Sequence, residues 1–107
     1  VYGLSLDTES NPDFFSVARV SDSLTGDFRA DIRDITKVTN IITEIQPEII
    51  FHMAAQPLVR ASYKDAPYTF TTNAIGTLNV LESMRIADSV KVAVMMIAIT
   101  TMIFLGR

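Results

Sequence analysis

Ile49-Ile50-Phe51-His52-Met53-Ala54-Ala55-Gln56-Pro57-Leu58-Val59-Arg60 is the stretch that decides the fold. Its first half is apolar and rich in β-branched and aromatic residues, which favours a strand. It then passes through two alanines and breaks into a polar loop with a proline. Open α/β sheets bind ligands in the crevice outside the carboxyl ends of their strands. Small side chains at such an end let a flat cofactor approach the backbone. A strand is therefore expected over 48–54, with an exit loop that carries Gln56 and Arg60.

A helix is expected before this strand. Asp34 is a good N-cap. Ile35, Val38, Ile41, Ile42 and Ile45 recur at three- and four-residue spacing and build one apolar face. Pro47 ends the helix, because proline has no N–H and clashes with the preceding turn. Further upstream, residues 1–6 read as a short strand that stops at Asp7. Asn11-Pro12 is a turn signal. Phe14, Phe15, Val17 and Val20 suggest a short helical turn or a packed loop. Residues 24–30 are a weak strand candidate ending at Asp31.

After the exit loop, Asp65-Ala66-Pro67 opens the longest helix. Asp65 is its cap, and proline is tolerated in the first turn. Phe70, Ala74, Leu78 and Leu81 form one stripe; Asn73, Gly76, Thr77 and Val80 form an adjacent one. The second is small and polar near its start, so a neighbour can pack closely on it. Residues 92–105 are apolar apart from Thr100 and Thr101. A buried parallel strand reads as such a run, and a strand with an irregular end is expected. A buried helix and a membrane-associated segment are the alternatives, although the run is shorter than the ~20 residues that span a bilayer. Helical segments alternating with short apolar runs imply an α/β fold with a parallel sheet. One domain is the upper limit for 107 residues.

Composition narrows the chemistry. The chain is 49% apolar and 20% charged, a globular profile. Its net charge of -3 gives no electrostatic footprint for nucleic acid. Without cysteine there is neither a disulfide nor a thiolate metal site, and a single histidine makes a His-based metal site an unfavourable reading. No cleavable signal pattern opens the chain, since Asp7, Glu9 and Asp13 come early.

Few residues are placed to carry chemistry. Asp7 ends the first strand, where a dinucleotide-binding fold uses an acid on the adenosine ribose; a solvated strand-end aspartate is the plain alternative. The Asp31 carboxylate could accept from an adenine amino group while Ile32 covers the ring. His52 lies within the apolar strand and reads as a satisfied core histidine. Arg60 could pair with a phosphate or sit on the surface. Asn73 costs helix propensity, which is understandable if its side chain fixes a neighbouring backbone or site group. The glycines are Gly3, Gly26, Gly76 and Gly106, so no glycine-rich phosphate loop can be formed from these residues. None of Tyr2, Tyr63 and Tyr68 is followed four residues later by lysine.

The phrases Ile50-Phe51-His52-Met53-Ala54-Ala55-Gln56-Pro57-Leu58-Val59-Arg60, Ser62-Tyr63, Pro67, Phe70, Thr72-Asn73-Ala74-Ile75-Gly76-Thr77 and Val80-Leu81-Glu82 resemble the extended short-chain dehydrogenase/reductase superfamily. Within this NAD-dependent epimerase/dehydratase family the likeness is to the CDP-glucose 4,6-dehydratases. It includes Gly3-Leu4-Ser5-Leu6-Asp7, Asn11-Pro12 and Asp31-Ile32-Arg33-Asp34, and it extends over residues 1–96.

The resemblance implies a partial Rossmann-like sheet with flanking helices, in which the first strand and the glycine-rich loop are missing. In the strand order 3-2-1-4-5-6 the chain would carry strands two to five. The resemblance places Asp7 at the adenosine ribose and Asp31 and Ile32 around the adenine. Met53, Ala54, Ala55 and Thr72 would line the cofactor, NAD. Gln56 and Arg60 would lie on the substrate side, and Asn73 would support the site.

The implied reaction oxidises the sugar of CDP-glucose at C4 with bound NAD, eliminates water across C5 and C6, and returns the hydride to C6. Implied too are a cytoplasmic, homo-oligomeric full-length enzyme and no membrane or nucleic-acid partner. The sequence departs from the family after the last strand, at Ile97-Ala98-Ile99-Thr100-Thr101-Met102-Ile103, where the family has a Thr/Ser-Asp-Lys-Cys-Tyr-like phrase, and the family's Tyr-Lys pair would lie beyond Arg107. The chain thus reads as truncated at both ends and inactive in isolation; the alternatives are another extended-family sugar-nucleotide dehydratase or epimerase, or a noncatalytic remnant acting only as an interaction module.

Overall fold

The structure is a computed structural model that describes residues 1–96. The expected apolar run is a strand at its start, and its remainder, 97–105, lies outside the described residues. The fold divides into two compact units between Asp31 and Ile32.

The first unit opens with β1 (Tyr2–Ser5), then a four-residue helix α1 (Phe14–Val17), a 3-10 turn (Val20–Ser23) and β2 (Gly26–Arg29). Asp13 caps α1, its carboxylate accepting from the Ser16 N–H at 2.9 Å and the Ser16 hydroxyl at 2.8 Å. These bonds hold the Asp13 carboxyl below the usual carboxylate range. β1 and β2 pair in parallel, Tyr2 opposite Gly26 and Ser5 opposite Arg29.

The second unit runs α2 (Ile35–Ile45), β3 (Ile49–His52), α3 (Val59–Lys64), α4 (Ala66–Phe70), a π-helical stretch (Thr71–Gly76), α5 (Thr77–Ala87) and β4 (Val92–Met95). Asp34 caps α2 as expected, accepting from the Lys37 N–H at 3.1 Å. Gln46 ends the helix in the left-handed conformation (φ 51°), one residue ahead of Pro47. Val38 and Ile42 form the buried centre of its apolar face, whereas Ile35 is 42% exposed. Asp65 caps the long helix through the Tyr68 N–H at 2.9 Å, with Pro67 in its first turn. β3 is shorter than expected and stops at His52, and the segment expected as a loop through Arg60 winds into α3 from Val59.

β3 and β4 pair in parallel, Ile49 opposite Val92 and His52 opposite Met95. Hydrogen bonding thus yields two two-stranded parallel sheets, β1–β2 and β3–β4. This is the neighbour relation expected if the strands correspond to two, three, four and five of the doubly wound order.

The packing of the second unit is carried by α2 against α5. Val38, Ile42, Val80 and Ala87 are its buried apolar residues along with Ile32. Between the helices the Thr39 and Ser83 hydroxyls meet at 2.8 Å. Ser83 donates to the Asn79 carbonyl at 2.7 Å, so Thr39 is the donor to Ser83. One face of the β3–β4 pair is uncovered among the described residues: Ile49, Phe51, Val92 and Val94 are 44–68% exposed. Parallel sheets are ordinarily covered on both faces. No helix among the described residues is long and apolar enough to cross a membrane.

Candidate functional site

The exit of β3 is fixed from the helix beside it. Asn73, 1% exposed, grips the main chain of Gln56 from both sides. Its Oδ1 accepts from the Gln56 N–H at 2.7 Å, and its Nδ2 donates to the Gln56 carbonyl at 3.0 Å. A side-chain amide thus does for the loop what a neighbouring strand does for a ladder residue. Both main-chain polar groups of Gln56 are satisfied just where β structure has ended. The helix propensity that asparagine costs at position 73 is explained by this clamp.

The Gln56 carboxamide braces the same loop. Its Oε1 accepts from the Leu58 N–H at 2.6 Å, and its Nε2 donates to the Leu58 carbonyl at 3.2 Å and to the Thr69 hydroxyl at 2.9 Å. Thr69 is itself buried and donates to the Asp65 carbonyl at 3.1 Å. Met53 and Ala54 are exposed and Ala55 is half-buried, so this braced turn presents small and flexible side chains to solvent.

His52 occupies the place expected for a core histidine. It is 4% exposed, and its Nε2 lies 2.9 Å from the Thr77 hydroxyl oxygen. Thr77 donates its only hydroxyl proton to the Asn73 carbonyl at 2.7 Å, so it must accept from His52. The imidazole therefore carries a proton on Nε2. Burial pushes its pKa below the ordinary histidine value. A chain of bonds then runs from β3 through Thr77 to the main chain of Asn73, whose side chain holds the loop.

Thr72, one residue before Asn73, is 8% exposed. Its hydroxyl is the one buried side-chain polar atom among the described residues without a hydrogen-bond partner. Such orphans are rare in well-packed proteins and call for an explanation. The stretch around it is π-helical, a geometry that occurs often at functional sites.

The other expected site residues are placed as follows. Asp7 is exposed and follows Leu6, whose carbonyl accepts from Arg29 Nη1 at 2.8 Å. The same nitrogen reaches the Ser5 hydroxyl at 2.8 Å, and the guanidinium is held by Asp27 at 2.7 Å and lies 4.5 Å over the Phe15 ring. Arg29 thus fixes the exit of β1. Asp31 is half-buried. Ile32 directs its side chain onto the long helix: a Cβ at Gly76 would stand 2.5 Å from Ile32 Cδ1. Only glycine permits that approach, as the small stripe of the helix led one to expect. Arg60 is exposed as the second residue of α3.

Two groups escaped the sequence reading. Arg29 left no pattern to follow, being a lone arginine at a strand end. Asn79 did leave one. It is a second asparagine inside the helix, and the propensity cost that singled out Asn73 applies to it equally. It is 7% exposed, and its Nδ2 donates to the carbonyls of Ile32 and Arg33, each at 3.0 Å. Among the described residues no cluster of His, Asp and Glu could hold a metal ion.

The chain is 43% identical over 94 residues to CDP-glucose 4,6-dehydratase of Salmonella typhimurium, a match that covers 88% of this chain and 26% of the relative. It is 42% identical over 64 residues to UDP-glucose 4-epimerase of Mycolicibacterium smegmatis, covering 60% of this chain and 20% of the relative. The chain thus spans about a quarter of the length of the first of these relatives and a fifth of the second. Among solved structures, the UDP-glucose-4-epimerase of Stenotrophomonas maltophila with bound NAD and formylated UDP-arabinopyranose superposes with a TM-score of 0.66 at 26% identity. That likeness covers 84% of this chain and 27% of the epimerase. The family described as GDP-mannose 4,6 dehydratase matches over residues 15–104. With a Rossmann-like α/β fold and a family match over most of its length, the chain belongs to the GDP-mannose 4,6 dehydratase family.

Proposed function

We propose that residues 1–107 are part of the NAD-binding domain of a sugar-nucleotide 4,6-dehydratase whose substrate is CDP-glucose. The observation that carries this reading is the exit of β3, where the buried Asn73 amide grips both main-chain groups of Gln56. It builds a rigid, small-residue edge at the carboxyl end of a parallel strand, the place where such sheets take a ligand.

In this reading Met53, Ala54, Ala55 and Thr72 line the cofactor, Asp7 and Asp31 serve the adenosine end, and Gln56 and Arg60 border the sugar. When bound, the nicotinamide supplies a reversible hydride acceptor for oxidation at sugar C4 and return at C6. Oxidation at C4 acidifies the C5 proton and so permits loss of water across C5 and C6. An acid at Asp7 suits a free ribose 2′-hydroxyl better than a 2′-phosphate, which favours NAD over NADP. CDP-glucose is preferred to other sugar nucleotides because the 43% match to the CDP-glucose enzyme runs over 88% of the chain.

These residues hold neither a glycine-rich phosphate loop nor a Tyr-Lys pair. The chain by itself is expected to bind NAD only weakly and not to turn over sugar nucleotide. The test is a chimera in which this chain replaces the matching residues of the Salmonella enzyme. Conversion of CDP-glucose to a 4-keto-6-deoxy product, with GDP-mannose and UDP-glucose left unconverted, is the expected result. A folded, NAD-loaded chimera that prefers GDP-mannose, or that epimerises UDP-glucose, would overturn the substrate assignment.

A further inference from the structure

We propose that Arg60 and Lys64 form an anion site on α3 that takes the diphosphate of the sugar nucleotide, an inference that rests on the substrate reading above. The fold neutralises its other described cations. Arg19, Arg29, Lys37, Arg85 and Lys91 each lie beside a carboxylate, and Arg33 stacks 4.6 Å from the centre of the Tyr68 ring. Arg60 and Lys64 are exposed and have no carboxylate partner among the described residues. Asp65, the carboxylate next to them in sequence, is turned to the Tyr68 N–H as a cap.

The arrangement works against the helix that carries it. Lys64 alone is accounted for, since a cation suits the carboxyl end of a helix. Arg60 is the second residue of α3, where a cation is unfavourable. The two are four residues apart, a spacing at which like charges destabilise a helix. The helix is nevertheless braced at both ends by one side chain. The Gln56 carboxamide holds the main chain of Leu58 just ahead of α3, and through the Thr69 hydroxyl it reaches the Asp65 carbonyl just behind it. Within the helix the buried Ser62 donates to the Val59 carbonyl at 2.6 Å. Two cations with Cβ atoms about 5–6 Å apart on a braced helix suit a ligand with two adjacent negative charges. The arginine fork matches a pair of phosphate oxygens, and lysine adds a point charge. Two linked phosphates engage both, and α3 follows directly from the β3 exit assigned to the sugar.

The test has two arms. In the first, the chain is titrated with inorganic pyrophosphate at constant ionic strength and followed by NMR. The Arg60 side-chain Nε–H and the amides of α3 should shift saturably. Arg60→Gln and Lys64→Gln should each weaken pyrophosphate at least ~3-fold, and Arg60→Lys should weaken it less than Arg60→Gln. Lys37→Gln and Arg85→Gln, which remove paired cations, should leave the affinity unchanged. Absence of a saturable shift on α3, or equal effects of all four glutamine variants, overturns the site.

In the second arm Arg60→Gln and Lys64→Gln are placed in the chimera with the Salmonella enzyme. Each should raise the KM for CDP-glucose at least ~3-fold while kcat holds, the mark of lost binding that is equal in ground and transition states. An unchanged KM, or a fall in kcat alone, overturns the assignment to the substrate diphosphate and leaves the substrate reading standing. A chimera that converts no CDP-glucose although its α3 binds pyrophosphate overturns the substrate reading and the diphosphate assignment with it.

Discussion

Two strand exits in this molecule are held by different chemistry. At the end of β3 a buried neutral amide, Asn73, makes two bonds to one residue's main chain. At the end of β1 a charged group, Arg29, reaches one carbonyl and one hydroxyl while leaning on Asp27. The arginine and its aspartate keep 27% and 26% of their side-chain surface exposed, whereas Asn73 keeps 1%. Water can replace what Arg29 supplies but cannot enter to replace Asn73. The difference teaches that clamps with similar contact distances differ in worth according to what remains unsatisfied when each is removed.

The largest effect should follow Asn73→Ala. It leaves the part-buried N–H and carbonyl of Gln56 without their partner, and should cost about 1–3 kcal/mol in urea unfolding. A cost under ~1 kcal/mol would mean that the exit is as open to water as that of β1, and the contrast would fail. Gly76→Ala should come next, at about 1–3 kcal/mol, because Ile32 must move from a Cβ that would lie 2.5 Å from its Cδ1. Combining it with Ile32→Ala should give a cost clearly smaller than the sum of the two, since the clash disappears with the side chain.

Arg29→Gln should cost roughly 1 kcal/mol or less, and the difference from wild type should shrink as salt is raised. The Asn73→Ala difference should not depend on salt. Should both respond alike, the distinction between a wet ionic clamp and a dry neutral one would be wrong.

A smaller effect is expected from pH. His52 is the only histidine, and burial lowers its pKa in the fold. The unfolded chain therefore takes up a proton more readily than the folded one. Stability should be fully present above the unfolded histidine value, about 6.5, and decline as the pH falls through the lower folded value. Urea midpoints measured between pH 8 and pH 5.5 should show the decline in the wild type and little of it in His52→Gln.

The smallest effect on stability is expected for Thr72→Val. The hydroxyl it removes is buried without a partner, so the unfolding free energy should stay level or rise slightly. Thr77→Val, which removes a hydroxyl that both accepts and donates, should instead destabilise. If Thr72→Val costs as much as Thr77→Val, the Thr72 hydroxyl has a partner in solution.

Much of this was legible in the sequence, and the reasons are local. The caps Asp34 and Asp65 are read from neighbours a few residues away, and both make the expected bonds. The small stripe on the long helix announced a close neighbour, and Ile32 is that neighbour. The asparagine at position 73 was conspicuous because it opposed its own helix. What could not be read depends on distance along the chain. Asn79 reaches carbonyls 47 and 46 residues away, and Arg29 reaches Leu6 across 23. Nothing in their immediate surroundings specifies those partners. The end of β3 also escaped, because Met53 and Ala54 are as apolar as the strand before them and only the Asn73 clamp marks where pairing stops.

The π-helical stretch at Thr71–Gly76 has a consequence for insertions and deletions. A π turn holds one residue more than the α turn it interrupts. Deleting one residue beyond Asn73 in this stretch would turn the wide turn into an α turn and leave the helix on either side nearly in phase. The disturbance would fall inside the stretch: Asn73, which lies in it, would lose its alignment with Gln56, whereas Asn79 beyond it would still face the Ile32-Arg33 segment.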